Sequence, residues 1–541
     1  MRILVAQLNY TLGDFRGNTQ KILQALEEAR RKEVAIVIFS ELAICGYPPE
    51  DLLLHQDFLA EMEKSLEKIV QASYGLFVVV GVARKNPSFH GKPLLNSAAV
   101  IQEGKLVGFQ DKWLLPTYDV FDEMRYFEEG KECQTWQYQG KTIGISICED
   151  IWQHGGFASY TRDPVLVLKE KQVDLLINIS SSPYHLQKLE LRFKVCAAVS
   201  KSLQCPLFLC CQVGGNDQLV FDGYSLFIGS QGEVIDIAKG FEEELKVWEI
   251  QEEKQASFSL PLPMEELFSA LVLGVRDYFH KSGFKKACLG LSGGIDSALV
   301  ACIAAEALGK ENVLALSLPS RYSSVGSVED AKALSQILGI SYQELSIEGP
   351  FQAYLNLLEP CFAGYPPDVT EENLQARVRG MILMAFSNKL GYIVLSTGNK
   401  SEMAVGYSTL YGDLCGGLSV ISDLTKTQVY ELASFLNRNE VKIPVSCIEK
   451  FPSAELRPNQ KDSDTLPSFD FLDKVLQAYV EEHRSAEEIA REFSFDLEQV
   501  RELIRKIHKA EYKRRQSPLG IRVSKKSFHI GRKYPIVQKW Q

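Results

Sequence analysis

The stretch Leu289 to Ser297 reads LGLSGGIDS and decides how the second half of this chain is read. It follows the apolar run Ala287-Cys288-Leu289, which has the character of a strand end. It precedes Ala298-Leu299-Val300-Ala301-Cys302-Ile303, which has that of a buried helix. Adjacent glycines at 293 and 294 permit the tight backbone that a strand-to-helix phosphate loop requires. The amides of Ile295, Asp296 and Ser297 then open the helix, where free N–H groups and the helix dipole favour an anion. The loop lacks the spacing and the Lys-Ser/Thr end of a Walker loop, so an ordinary P-loop is excluded. Asp296 lies where a carboxylate serves best as a magnesium ligand beside phosphates.

SGGxDS after a strand resembles the pyrophosphate loop of the N-type ATP pyrophosphatases. The resemblance implies cleavage of ATP between its α- and β-phosphates, with adenylation of a carboxylate or carbonyl. The loop alone does not say which.

At 541 residues the chain exceeds one typical core, so two domains of roughly 250–300 residues are expected. Hydrophobic residues at 45% and charged residues at 24% are those of a soluble globular protein. No apolar run reaches about 18 residues, and MRILVAQLNY lacks a signal peptide's apolar centre, so no membrane partner and a cytoplasmic location are expected. A net charge of −10 argues against nucleic-acid binding. Basic residues gather between Lys506 and Lys526, either as a solvated helix face or as a site for a polyanionic small molecule. The 12 cysteines form no CxxC pair and no metal-like spacing. Cys205, Cys210, Cys211, Cys288 and Cys302 lie in apolar runs and read as core.

Residues 1–250 alternate short Val/Ile-rich runs (3–8, 34–39, 76–83, 142–147, 175–179, 207–213) with helical patterns at 18–32, capped by Asn18, and at 189–203. Two hairpins are expected, 96–101 with 106–110 and 224–228 with 233–237. Periodicity is lost over 251–263, which is read as a linker. From 264 to 541 a helix, the phosphate loop and strands at 285–291, 313–318, 341–345 and 392–395 predict a doubly wound parallel sheet. Residues 453–468 read as a long surface loop, and 473–508 as broken helices.

Three segments of the first domain place a reactive side chain just past an apolar strand: Glu41, Lys112 and Cys148. Strand ends converge on one crevice, so the three can meet. A carboxylate can take a thiol's proton, and an ammonium can stabilise a thiolate and then an oxyanion. Singly each is unremarkable, Cys148 alone reading as core. Jointly they resemble the Glu-Lys-Cys set of the carbon–nitrogen hydrolase (nitrilase) superfamily. That resemblance implies an α-β-β-α sandwich over 1–250, amide hydrolysis through a thioester, and a supporting acid at Glu123. In its glutaminase members the matching substrate contacts are Tyr118, Ser182 and Lys188. Ser180 and Ser181 adjoin Ser182 in ISSSPYHLQK, which leaves the serine open.

Downstream, STGNKSE at 396–402 closes a strand and starts a helix, so Thr397 can reach a nucleotide and Glu402 can face Asp296 as a second magnesium carboxylate. With YGD at 411–413, ENLQARVRG at 372–380, LTKTQVYEL at 424–432, KFPSAEL at 450–456 and AEYKRRQ at 510–516, the chain resembles the two-domain, glutamine-dependent NAD synthetases nearly end to end. The resemblance implies ATP contacts at Gly290, Leu291, Ser292, Gly293, Gly294, Ile295, Asp296, Ser297, Thr397, Lys426 and Ser453. It implies deamido-NAD contacts at Asn373, Glu402 and Lys513, and a magnesium ion on Asp296 and Glu402 as the cofactor of ATP. Its implied partners are small molecules (glutamine, ATP and deamido-NAD) and further copies of the chain in a homo-oligomer, with ammonia passing through a protein channel. The ammonia-dependent branch carries a Lys shortly after the Glu of its NKSE motif and an acid later. This chain has Leu410 and Gly417 there, so contacts in that loop do not transfer. Three readings compete: an amidotransferase with another acceptor, a non-catalytic binding homologue, and a plain amidase with an inert appendage.

Overall fold

The computed structural model describes residues 1–88, 90–156, 160–250, 258–458, 460–464 and 466–540. It divides into two compact units, Met1–Pro261 and Leu262–Gln541. Of the expected linker, residues 251–257 lie outside the described residues.

The first unit contains, in order, β1 (Arg2–Gln7), α1 (Phe15–Arg31), β2 (Ile36–Phe39), α2 (Gln56–Ala72), β3 (Phe77–Lys85), β4 (Leu94–Gln102) and β5 (Lys105–Asp111). There follow β6 (Thr135–Tyr138), β7 (Lys141–Ile147), α3 (Pro164–Glu170), β8 (Leu175–Ser180), α4 (Lys188–Leu203) and β9 (Leu207–Cys211). Strands β10 (Val213–Asn216), β11 (Leu219–Asp222), β12 (Leu226–Ile228), β13 (Val234–Ile237) and β14 (Glu244–Glu249) complete it. Two six-stranded sheets form, ordered β14-β1-β2-β3-β4-β5 and β13-β12-β9-β8-β7-β6. Each has three parallel strands at its centre and antiparallel strands outside them.

Period-two alternation explains the layering. Ile3 and Val5, Ile36 and Ile38, Phe77 and Val79 share a core with Ile143, Ile145 and Ile147 and with Leu175, Ile177 and Ile179. The alternate residues of the second sheet, such as Leu176, Leu207 and Leu209, pack under α3 and α4 through Val165, Leu168, Val195 and Val199. With α1 and α2 paired and α2 packed on β3, the unit is an α-β-β-α sandwich. Helix α1 starts three residues before the expected position. Asp14 is its N-cap, accepting from the Gly17 amide at 2.8 Å. Asn18 is instead buried inside the helix, where its side-chain amide donates to the carbonyls of Thr11 (2.8 Å) and Ile44 (3.2 Å).

The second unit runs α5 (Pro263–Lys281), β15 (Lys286–Gly290), α6 (Ile295–Leu308), β16 (Val313–Ser317), α7 (Val325–Leu338), β17 (Ser341–Glu344), α8 (Glu348–Leu358), α9 (Val369–Leu390) and β18 (Tyr392–Ser396). Helix α10 (Lys400–Val405), β19 (Leu418–Ser419), α11 (Lys426–Leu436), α12 (Val445–Glu449), α13 (Phe469–Leu476), α14 (Ala486–Phe493) and α15 (Leu497–Lys509) follow. Its sheet is parallel throughout, ordered β17-β16-β15-β18-β19. Strand order reverses between β15 and β18, so the loops leaving them flank the crevice where such sheets bind ligands. Among the described residues no helix is long and apolar enough to cross a membrane.

Candidate active sites

In the first unit the strand ends do converge. Lys112 follows β5, and its ammonium donates to Glu41 Oε1 (2.6 Å) and Glu123 Oε1 (2.8 Å). The Lys112 and Glu41 side chains are 0% exposed. Burial opposes the charge on Lys112, yet Glu123 and Glu41 hold its pKa well above the ordinary lysine value. Burial pushes Glu123 up to about 7, against the pull of Lys112 and with the repulsion of Glu41 adding to it.

Cys148 follows β7 directly with φ +42°, a left-handed conformation that costs a non-glycine residue about 1–3 kcal/mol. It opens a short 3₁₀ turn, Cys148–Gly155, and Asp150 in that turn compensates for the bend. One Asp150 oxygen accepts from the Ile147 amide (2.9 Å), the other from those of Trp113 (3.0 Å) and Leu114 (2.9 Å). A single carboxylate thus ties the Cys148 bend to the loop carrying Lys112. Burial and then the Glu41 charge push the Cys148 thiol up, while Lys112 and a hydrogen bond with Ser180 pull it down. A thiol that feels both a carboxylate and an ammonium has the neighbours that attack on a neutral amide calls for.

Glu41 is fixed from several sides. Asn96 on β4 donates to Glu41 Oε1 (2.8 Å), and the Ser181 amide donates to Oε2 (3.0 Å). Tyr47 Oη donates to Glu123 Oε1 (2.9 Å). Gly81 on β3 makes room: a Cβ there would lie 2.2 Å from the Leu42 nitrogen and 2.4 Å from the Ser40 carbonyl oxygen. Sequence reasoning missed the roles of Asn96, Ser181 and Gly81, because strand packing alone brings them to Glu41, and that of Tyr47, which reaches Glu123 from the loop after β2.

Two of the three expected substrate contacts, Tyr118 and Lys188, act on Glu149, a residue that the sequence reading left without a role. Tyr118 Oη (2.9 Å) and Tyr160 Oη (2.8 Å) both donate to Glu149 Oε1. Burial raises the Glu149 pKa, opposed by these hydroxyls and by Lys112 and Lys188. Lys188 starts α4 with its ammonium 4.3 Å from the centre of the Trp152 ring. Of the three serines, Ser180 meets the thiol, Ser181 holds Glu41, and Ser182 is buried beyond them.

In the second unit the SGGIDS loop is pinned by its own serines. Ser297 Oγ donates to the Gly294 carbonyl (3.0 Å) and accepts from the Ser292 amide (3.2 Å). Gly293 has φ +79°, and a Cβ on it would lie 2.1 Å from the Ser327 carbonyl oxygen. Gly294, the N-cap of α6, has no side chain to cap it, an arrangement in which first-turn amides can serve an anion. A cavity of about 760 Å³ opens there, lined by Gly290, Leu291, Ser292, Gly294, Ile295 and Asp296, and by Thr397, Glu402, Lys426 and Ser453. Gly293 and Ser297 build the loop behind this wall.

Charge in the cavity is mixed. Lys426 Nζ pairs with Asp296 Oδ2 in a short contact and lies 3.8 Å from Glu402 Oε1. Burial and the Asp296 charge push Glu402 up to about 8, with Lys426 opposing. Arg379, which sequence reasoning missed, also lines the cavity; it donates to the Leu318 carbonyl (2.9 Å), and burial lowers its pKa to about 10. Asn373 and Lys513 do not line the cavity. Asn373 Oδ1 accepts from Thr409 Oγ1 (2.8 Å), and Lys513 Nζ donates to the carbonyls of Gly406 (2.7 Å) and Ser408 (2.6 Å), so both brace the 406–409 loop.

Of the segment expected as a surface loop, 453–468, residues 453–457, 460 and 462 instead line the cavity. Gln460, Asp462 and Leu466 are buried, because Gln460 donates to Glu372 (3.1 Å) and Asp462 accepts from Tyr407 Oη (3.0 Å). Much of the basic run after Lys506 is spent within the protein. Lys506 and Arg515 pair with Glu502 and Glu511, and buried Arg514 donates to the carbonyls of Met403 and Ala404.

Asp296 and Glu402 supply hard oxygen donors fit for magnesium. Among the described residues no three Asp, Glu, His or Cys side chains form a metal cage.

The carbon-nitrogen hydrolase family model matches residues 2–258, and the NAD synthase model residues 267–517. The glutamine-dependent NAD(+) synthetase of Synechocystis sp. is 45% identical over 99% of this chain and 98% of its own length. That of Thermotoga maritima is 41% identical over 100% and 99%. Among solved structures, glutamine-dependent NAD+ synthetase from Acinetobacter baumannii in complex with ADP superposes with a TM-score of 0.79. It is 37% identical, with 100% of this chain and 99% of that one covered. Two family models that divide the chain between them, and relatives this similar over nearly their full length, establish that the chain belongs to the glutamine-dependent NAD(+) synthetase family.

Proposed function

We propose that this protein makes NAD+ from deamido-NAD+ and ATP with glutamine as nitrogen donor, using the two sites for two half-reactions. In the first unit Glu41 takes the Cys148 proton and the thiolate attacks the glutamine side-chain amide. Lys112 faces the developing oxyanion, ammonia leaves, and water releases glutamate from the thioester. Glu123 and Asn96 hold Glu41 and Lys112 in register. Glu149, with Tyr118, Tyr160 and Lys188 about it, is the group we assign to recognising the charged end of glutamine.

In the second unit the nicotinate carboxylate of deamido-NAD+ attacks the α-phosphate of ATP, pyrophosphate departs, and ammonia displaces AMP from the adenylate. Residues 290–297, with Thr397, Ser453 and Arg379, would hold the phosphates. Asn373 and Lys513 would act on the dinucleotide through the loop they brace. Asp296 and Glu402 would hold Mg2+, whose part is to neutralise charge on the departing pyrophosphate. The observation that carries this reading is the joint presence of a buried Glu41–Lys112–Glu123 cluster beside Cys148 and a phosphate-loop cavity of nucleotide size in one chain.

The test is product analysis of the purified full-length protein given deamido-NAD+ and Mg-ATP with either glutamine or ammonium. The reading requires NAD+, AMP and pyrophosphate with either donor, and glutamate with the first. ATP consumption without NAD+ would mean another acceptor. We further propose a cytoplasmic homo-oligomer, to be checked by the molar mass in solution.

A further inference from the structure

Lys400, the first residue of α10, is only 1% exposed and lies behind the cavity wall rather than in it. Its ammonium donates to Glu481 Oε1 (2.6 Å), Ser524 Oγ (2.7 Å) and the Lys526 carbonyl (2.9 Å), and pairs with Asp423 Oδ1 at 3.1 Å. Asp423 in turn accepts from the amides of Val523 and Ser524 and from Ser524 Oγ, each at 2.8 Å. One buried cation therefore fastens three distant pieces of chain to the start of a six-residue helix: the segment leading into α11 at Asp423, the π turn Gln477–Glu481, and residues 522–526 near the C-terminus.

The same helix start carries the carboxylate machinery. Asn399, adjacent to Lys400, donates to Asp296 Oδ1 (2.9 Å) and exchanges backbone–side-chain bonds with Glu402 (3.0 and 3.3 Å). A shift of the first turn of α10 would therefore carry Asn399 and Glu402 away from Asp296 together. Stability alone is a poor reason for such an arrangement, since buried ion pairs replaced by well-packed apolar groups often cost nothing. What a multiply bonded buried ammonium supplies is a defined position.

We infer that Lys400 is a positioning residue for the Asp296–Glu402 pair, and that residues 522–526 thereby form part of the synthetase site's supporting shell. The inference rests on the proposal that these two carboxylates hold the metal of Mg-ATP. Supporting partners of metal ligands are typically worth about 10–100-fold in metal affinity.

The experiment is Mn2+ binding to the full-length protein with a non-hydrolysable ATP analogue, followed by the EPR signal of free Mn2+. Wild type is compared with D296N, K400M, the charge-balanced K400M/D423N, and S524A, which removes one arm without burying a charge. The expected result is loss of the site in D296N and about tenfold weaker Mn2+ binding in folded K400M or K400M/D423N, with a smaller loss in S524A. Glutamine hydrolysis should be unchanged in all three Lys400-network variants. Wild-type Mn2+ affinity in a folded Lys400 variant, or in S524A if neither of those folds, overturns the positioning role. Equal Mn2+ binding by wild type and D296N would instead overturn the metal assignment on which it rests.

Discussion

Each unit sets one lysine between two carboxylates, and the two clusters differ in a telling way. Lys112 lies 2.6 and 2.8 Å from Glu41 and Glu123, sealed from solvent and braced by Asn96, Tyr47 and Ser181. Lys426 lies hard against Asp296 but 3.8 Å from Glu402, on the wall of an open cavity. The first cluster is closed and balanced, as suits chemistry on a neutral amide in a fixed pocket. The second is lopsided, with Glu402 pushed up to about 8 by burial and by Asp296. On the proposed function, such a site would take up a polyanion and its cation by rearranging its own charges. On this view the amide site is preorganised and the nucleotide site is completed by its ligands.

The sharpest challenge to that contrast is Asp296→Asn. If the second site depends on a carboxylate-held cation, NAD+ formation should fall roughly 10²–10³-fold with glutamine and with ammonium alike, the loss of several kcal/mol of charge stabilisation. Glutamine hydrolysis, followed as glutamate release, should persist. Equal loss at both sites would mean the two clusters are not separable.

Gly81→Ala tests the rigidity of the first cluster. The added methyl would lie within 2.2 Å of the backbone beside Glu41 and cannot be absorbed by a side-chain rotation. Displacing Glu41 by even part of an ångström should cut glutamine-driven activity about 10²-fold while ammonium-driven NAD+ formation is retained. Overpacking should also lower stability by about 1–3 kcal/mol. A fully active Gly81→Ala would show that the cluster yields.

The smallest effect concerns pH. Glu123 has its pKa raised to about 7 in the fold from the ordinary glutamate value of 4.5, so the unfolded chain releases this proton first as pH rises. Its contribution to stability is therefore fullest below about pH 4.5 and declines up to about pH 7, by as much as ~1.4 kcal/mol per pH unit. Asp150, also at about 7 through burial, slopes the same way, so the informative quantity is the difference from Glu123→Gln. Urea midpoints between about pH 5 and about pH 7 should fall less in the variant. Parallel profiles would contradict the raised pKa of Glu123.

The second site was the more legible in sequence, for a physical reason. Its phosphate loop is local: SGGIDS carries the turn, the helix start and the carboxylate within a few residues, and STGNKSE carries the facing cap and acid. The first site is assembled from strand ends far apart in the chain. Glu41, Lys112 and Cys148 could be picked out because each follows an apolar run, but Asn96 and Gly81 depend on which strands lie side by side, and Tyr47 on how the loop after β2 meets Glu123. Glu149 adjoined Cys148 in plain view, yet its importance rests on Tyr118 and Tyr160 closing over it. The 453–468 segment misled through its polarity: Gln460 and Asp462 are buried because each finds a polar partner, which composition does not reveal. Likewise Asp14 and Asn18 are both good caps, and only the packing of Asn18 against Thr11 and Ile44 decides between them.

The central claim is that nitrogen is released at one site and used at the other. Its most direct test is the rate of NAD+ formation by Cys148→Ala with each nitrogen donor. Loss of the proposed nucleophile should reduce the glutamine-driven rate on the order of 10⁴-fold, while the ammonium-driven rate stays at the wild-type level. If both rates fall together, or glutamine still drives NAD+ formation, the division of labour between the two units is wrong.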